Sequence, residues 1–133
     1  ARLSGSKDYE DRAGTIMKLY APYFQRVPDQ FSNMLCAMDF SLNAPLEIVL
    51  VADCSKDDWK EMFSTIHGAY LPNTVLLMKD TNSESLGESP LVRNRTAIGG
   101  KPTVYICREY ACERPITDAA ELKNRIAALA VKL

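Results

Sequence analysis

The stretch "APLEIVLVADCS", Ala44 to Ser55, decides the fold. Ile48, Val49, Leu50, Val51 and Ala52 form a continuous apolar run rich in β-branched residues, with turn-forming polar residues directly after it. A run of that kind suits a strand covered on both faces, as in a parallel sheet with helices on each side. Downstream, Ser55 stands where it can cap a helix, and Asp58 follows three residues later in a capping-box position. Trp59, Met62, Phe63, Ile66 and Tyr70 give that helix an apolar face. "LPNTVLLMKD" then supplies a second strand at Thr74 to Met78, so residues 47–79 have the length of a strand–helix–strand unit.

The pattern extends in both directions. Towards the C-terminus, residues 80–102 are rich in Ser, Asn, Gly and charge and read as a mobile connection, with a short helix expected around Pro90 to Arg95. Thr103 to Cys107 makes a third strand. A final helix begins at Thr117 or Asp118 as cap, with Glu121 in its first turn and Ala119, Leu122, Ile126, Leu129 and Leu133 along one face. Towards the N-terminus, Tyr9, Ala13, Ile16, Met17, Tyr20, Tyr23 and Phe24 share one helical face. Pro28 breaks the helix, and Phe31, Met34, Leu35, Met38 and Leu42 repeat the spacing. The expected fold is α/β: a small, mostly parallel sheet of three or more strands flanked by helices and preceded by a helical hairpin. Residues 1–43 are the hairpin and residues 44–133 the α/β domain, together one compact unit.

With 133 residues the chain fits one domain, and its 47% hydrophobic and 25% charged content is that of a globular protein. The 16 basic and 17 acidic residues are mixed along the chain, so nothing in the charge pattern favours nucleic acid or an anionic membrane as partner. No apolar run approaches the roughly 18 to 20 residues that span a bilayer. Four cysteines, Cys36, Cys54, Cys107 and Cys112, are too few and too unevenly spaced for a disulfide-dense secreted scaffold, and a reducing cytoplasm is the expected compartment.

Three groups of residues could carry chemistry. Ligands of parallel α/β sheets bind beyond the carboxyl ends of the strands, which makes Asp53 and Ser55, with Cys54 and Asp80 beside them, a candidate ligand end. No Gly-rich phosphate loop follows a strand there, and turn and cap roles account for the same residues. Gly99 and Gly100 precede a strand and read as a turn, while His67 lacks the partners of a triad or a multi-histidine metal site. Cys107 and Cys112, in "YICREYACERPITD", form a candidate thiol pair with four residues between them. A thioredoxin-type redox pair has two intervening residues and a cysteine at a helix N-terminus, and structural zinc needs four ligands. A disulfide requires the chain to reverse at "REYA". Two free thiols, with Cys107 buried near the end of the third strand, is the favoured reading, and a thiol redox or metal-binding module remains the alternative. No catalytic residue, metal site or cofactor is expected.

"GKPTVYICREYACERPITDAAEL" resembles the C-terminus of the YyaL-type proteins, a family that includes a mammalian spermatogenesis-associated member. Gly100, Pro102, Thr103, Tyr105, Cys107, Cys112, Pro115, Thr117 and Asp118 match its motif. "YLPNTVLLMKD" and "PLEIVLVAD" are similar to its preceding strands. The resemblance implies a larger protein with a thioredoxin-like domain and an (α/α) toroid similar to sugar epimerases, of which residues 1–43 would be the last hairpin. By that resemblance the chain is a non-catalytic C-terminal accessory domain. Its partner would be the remainder of its own full-length chain, and the isolated fragment would self-associate as a homo-oligomer through its uncovered hairpin.

Overall fold

The computed structural model describes residues 1–83, 89–109 and 111–130. Strand β1 (Leu46–Ala52) is buried along its whole length, as a continuous apolar run at the centre of a sheet should be. It pairs in parallel with β2 (Thr74–Asp80), from Leu46 opposite Thr74 to Ala52 opposite Asp80. On its other side lies β3 (Thr103–Arg108), followed by the short β4 (Ala111–Cys112), giving the order β2-β1-β3-β4.

The α/β class, the open sheet flanked by helices and the helical N-terminus are as the sequence suggests, but the strand sense differs. β3 runs antiparallel to β1, with Val51 opposite Thr103 and Glu47 opposite Cys107, and β4 is antiparallel to β3. The sheet is therefore mixed rather than mostly parallel. The reason lies in the connection. A further parallel strand needs a crossover that carries the chain back to the opposite end of the sheet. The segment after β2 instead ends at Thr103, beside the same end of β1 that β2 has just left. Ser89 to Asn94 form successive turns, not the expected helix, and Leu91 and Val92 are buried against Val49 and Val51. This part of the expected mobile connection is core; residues 84–88 lie outside the described residues.

Alternation along β1 separates two clusters. Leu46, Ile48 and Leu50 face α3 (Lys60–His67) and α4 (Ala119–Leu129), where Met62, Ile66, Leu122 and Ile126 are buried. Val49 and Val51 point to the other side, under Leu91 and Val92. Helix α3 starts later than expected: Ser55 caps nothing, and Trp59 occupies the N-cap position without a side-chain hydrogen bond. Tyr70 lies beyond its end and is exposed. Asp118 does cap α4, its carboxylate accepting from the Glu121 N–H at 2.8 Å. Leu133 lies outside the described residues.

The hairpin comprises α1 (Lys7–Phe24), a 3-10 turn opened by Pro28, and α2 (Ser32–Leu42). Phe24 packs edge-on against Phe31 at 5.4 Å and is the one buried large apolar side chain of α1. The hairpin faces the second side of the sheet across a cavity of about 710 Å³. No helix among the described residues is long and apolar enough to cross a membrane.

Candidate functional site

Cys107 and Cys112 are joined by a disulfide, which overturns the reading of two free thiols. Local backbone geometry explains it. β3 and β4 form a tight hairpin, with Glu109 in the left-handed region (φ 50°) where the chain reverses. The Glu113 N–H donates to the Ile106 carbonyl at 2.9 Å, so the residues one step closer to the turn, Cys107 and Cys112, form a non-hydrogen-bonded pair. That is the cross-strand position where side chains approach most closely. Beyond it, Val104 and Ile116 exchange both backbone hydrogen bonds, at 2.8 and 2.9 Å, with one extra residue on the returning strand. Pro115, which has no N–H to donate, sits in this bulge. Glu113 is tied to α4 by both carboxylate oxygens on the Arg125 guanidinium, which lowers the Glu113 pKa and raises that of Arg125.

The two sulfurs differ in access. Cys107 is 1% exposed, whereas Cys112 is on the surface. Arg95 Nη2 lies 3.1 Å from each of them. This arginine comes from the turn segment packed on the sheet, and several contacts fix it there. Lys79 Nζ donates to the Arg95 carbonyl at 2.8 Å and to that of Val92 at 3.3 Å. The Arg95 guanidinium carbon stands 5.7 Å from the centre of the Tyr105 ring, and the Tyr105 hydroxyl donates to the Thr96 carbonyl at 2.8 Å. Arg95 Nη1 is buried without a hydrogen-bond partner among the described residues.

At the carboxyl end of β1, Asp53 and Ser55 do come together with Asp80, but they satisfy one another. Asp53 Oδ1 accepts from the Ser55 N–H (3.1 Å), the Ser55 hydroxyl (2.6 Å) and Asn82 Nδ2 (2.7 Å), and Oδ2 pairs with Lys56 at 3.2 Å. These donors, the Ser55 hydroxyl first, hold the Asp53 pKa at about 2. Asp80 Oδ1 accepts from the backbone N–H groups of Cys54 (3.2 Å) and Asn82 (3.0 Å). Desolvation and the carboxylates of Asp80 and Asp53 raise the Cys54 thiol, the opposite of what a reactive thiolate needs. The arrangement ties the loop after β1 to the loop after β2.

His67 is exposed at the end of α3, its ring centre 4.2 Å from that of Phe63 and tilted by 48° to it. Among the described residues no group of three or more His, Cys, Asp or Glu could hold a metal ion.

Two residues escape sequence reading. Arg95 is one of several charges in a polar loop, with Arg93 two residues before it, and only the path of that loop over the sheet delivers it to the sulfurs. Glu47 is 3% exposed inside β1, with Arg2 Nη1 at 3.8 Å, and both border the cavity beneath the hairpin. A carboxylate interrupting an otherwise apolar strand is the signal that could have marked it.

No family model matches the chain. It is 30% identical over 124 residues to spermatogenesis-associated protein 20 of Rattus norvegicus, and 28% identical over 124 residues to the Homo sapiens protein of the same name. Each alignment covers 92% of this chain, which spans 16% of the length of these relatives. An uncharacterized protein of Caenorhabditis elegans is 25% identical over 118 residues, 89% of this chain and 16% of its own. Among solved structures, the germline-specific thioredoxin Deadhead of Drosophila melanogaster superposes with a TM-score of 0.48 and 22% identity, covering 74% of this chain and 94% of that one. A likeness of that size carries no argument.

Proposed function

We propose that the chain is a non-catalytic accessory module of a larger, YyaL-type protein and that its helical hairpin docks on the remainder of that protein. One observation carries this reading: Ile16 (48% exposed), Leu19 (67%), Tyr20 (38%) and Tyr23 (51%) form an uncovered apolar stripe on α1. Positions three and four apart lie on one helical face, and a contiguous stripe of this kind marks a contact surface. Tyr20 and Tyr23 also meet Phe31, at 6.0 and 6.4 Å, so the stripe continues onto the second arm of the hairpin. The chain's 16% share of its relatives' length supplies the occupant: most of such a protein lies outside this module. A cytoplasmic address is part of the reading: the exposed cysteines Cys36 and Cys54 are free, and the Cys107–Cys112 bond is then of the transient kind that a reducing compartment allows.

The test is to express this chain and the rest of its full-length protein as two separate polypeptides in one cell. The two copurify, and Leu19→Asp with Tyr23→Asp abolishes the copurification while the secondary structure of the chain is unchanged. Separate elution of the wild-type pieces, or pairing indifferent to both substitutions, overturns the reading. Concentration-dependent self-association of the isolated chain, lost in the same double variant, would assign the stripe to a second copy instead.

A further inference from the structure

We propose that the Cys107–Cys112 disulfide is a thiol–disulfide exchange site, in which Cys112 is the sulfur attacked and Arg95 holds the departing Cys107 sulfur as a thiolate. The argument is independent of the docking surface and starts from the unequal environments of the two sulfurs. Cys112 is exposed at the end of β4, whereas Cys107 is buried in β3, so an incoming nucleophile meets Cys112 first. Arg95 Nη2 is 3.1 Å from both sulfurs. A disulfide sulfur is a neutral, weak acceptor, and a guanidinium placed on it is poorly used. A thiolate in the same place carries a full charge and makes a charge-assisted hydrogen bond. The fixed arginine therefore favours the reduced state over the oxidised one and speeds departure of the leaving sulfur, since lower-pKa thiolates leave faster; the burial of Cys107 makes it that sulfur.

The exchange balances as follows. A thiolate of a reductant, RS⁻, attacks Cys112 Sγ; the Cys107–Cys112 bond breaks and its electron pair leaves on Cys107 Sγ, paired with Arg95. A second thiolate of the reductant attacks the R sulfur of the mixed disulfide, forming RSSR and releasing Cys112 as a thiolate that takes a proton from water. The protein gains two electrons and the reductant loses two. The substrate class is a small thiol or an exposed dithiol on another protein. Fixed by Lys79 at its carbonyl and lying beside the Tyr105 ring, Arg95 needs no rearrangement to act.

The experiment uses the oxidised chain with dithiothreitol and glutathione as reductants. Brief exposure to glutathione followed by acid quench yields a mixed disulfide located by mass spectrometry on Cys112. Arg95→Met slows reduction by dithiothreitol by about threefold or more, because an adjacent opposite charge supplies a thiol pKa unit or more and exchange rates follow thiol pKa with a slope of about one half. Arg95→Lys restores most of the rate. In a Cys112→Ser background the Cys107 thiolate, followed by its ultraviolet absorbance, titrates lower with Arg95 than with Met at that position. Glutathione captured on Cys107, or equal rates and equal titrations with and without the guanidinium, overturns the proposal. The trapping experiment reads the wild-type chain, so it decides even if Arg95→Met perturbs folding.

Discussion

Four donors surround the Asp53 carboxylate, and its pKa falls from 3.8 to about 2. A carboxyl group whose folded pKa lies below its unfolded value stabilises the fold above the unfolded value, and that contribution disappears as pH falls towards the folded one. The window here runs from about pH 4 down to about pH 2. Asp53→Asn should therefore lose stability at neutral pH and show a shallower decline of the thermal midpoint between those limits than the wild-type chain. Parallel acid limbs for the two proteins in a pH series of melting curves would contradict this. The meeting of Asp53, Ser55 and Asp80 was legible because parallel strands bring their carboxyl ends to one edge of a sheet. What could not be read was that Asn82 and Lys56 complete the set. Whether two carboxylates await a ligand or are already satisfied depends on side chains contributed by two different loops. Arg95 is the stronger case, since its sulfur contacts depend on a chain path with no local signature.

Helix α4 shows what an element reveals by itself. Its cap links residues three apart, so Asp118 and Glu121 identify the start of the helix without knowledge of anything else in the fold. Asp118→Ala should cost about 1 kcal/mol, within the usual range for losing such a cap, while Asp118→Asn should cost much less. Urea unfolding monitored by circular dichroism measures both, and equal losses would mean that charge rather than capping matters there. Ser55 satisfied the same sequence pattern and failed, because Asp53 two residues earlier captures its hydroxyl and the helix begins only at Lys60. Competition between a local turn and a cap is decided by small energies that spacing does not encode. The strand sense was misread for a related reason. Apolar content shows that β1 is covered on both faces, but turns packed on the sheet cover a face as well as a crossover helix does.

At the scale of the whole molecule the two parts of the chain are unequal. All members of both buried clusters lie between Leu46 and Ile126, while Phe24 is the buried core residue contributed by the hairpin. Polar contacts join the hairpin side to the α/β part: Arg2 with Glu47 at 3.8 Å, Asp39 with Asn73 at 2.6 Å, and the Leu3 carbonyl with Ser89 at 2.6 Å. Hydrogen bonds and ion pairs near the surface each contribute about 1 kcal/mol or less. Removing residues 1–43 would also open the Glu47 carboxylate to water, so no unpaired charge stays buried. We therefore expect residues 44–133 to fold alone, unfolding cooperatively in urea with a stability lower by roughly 1–3 kcal/mol, the worth of a few such contacts. Residues 1–43 alone should be largely unfolded, since isolated helices of this length are marginal without a packed face. A non-cooperative transition or loss of dispersed amide signals in the 44–133 chain would show instead that the hairpin completes the core. In that event the cavity beneath it would belong to the interior of a single unit, and the apolar stripe on α1 would be its outer surface rather than the exposed edge of an appended arm.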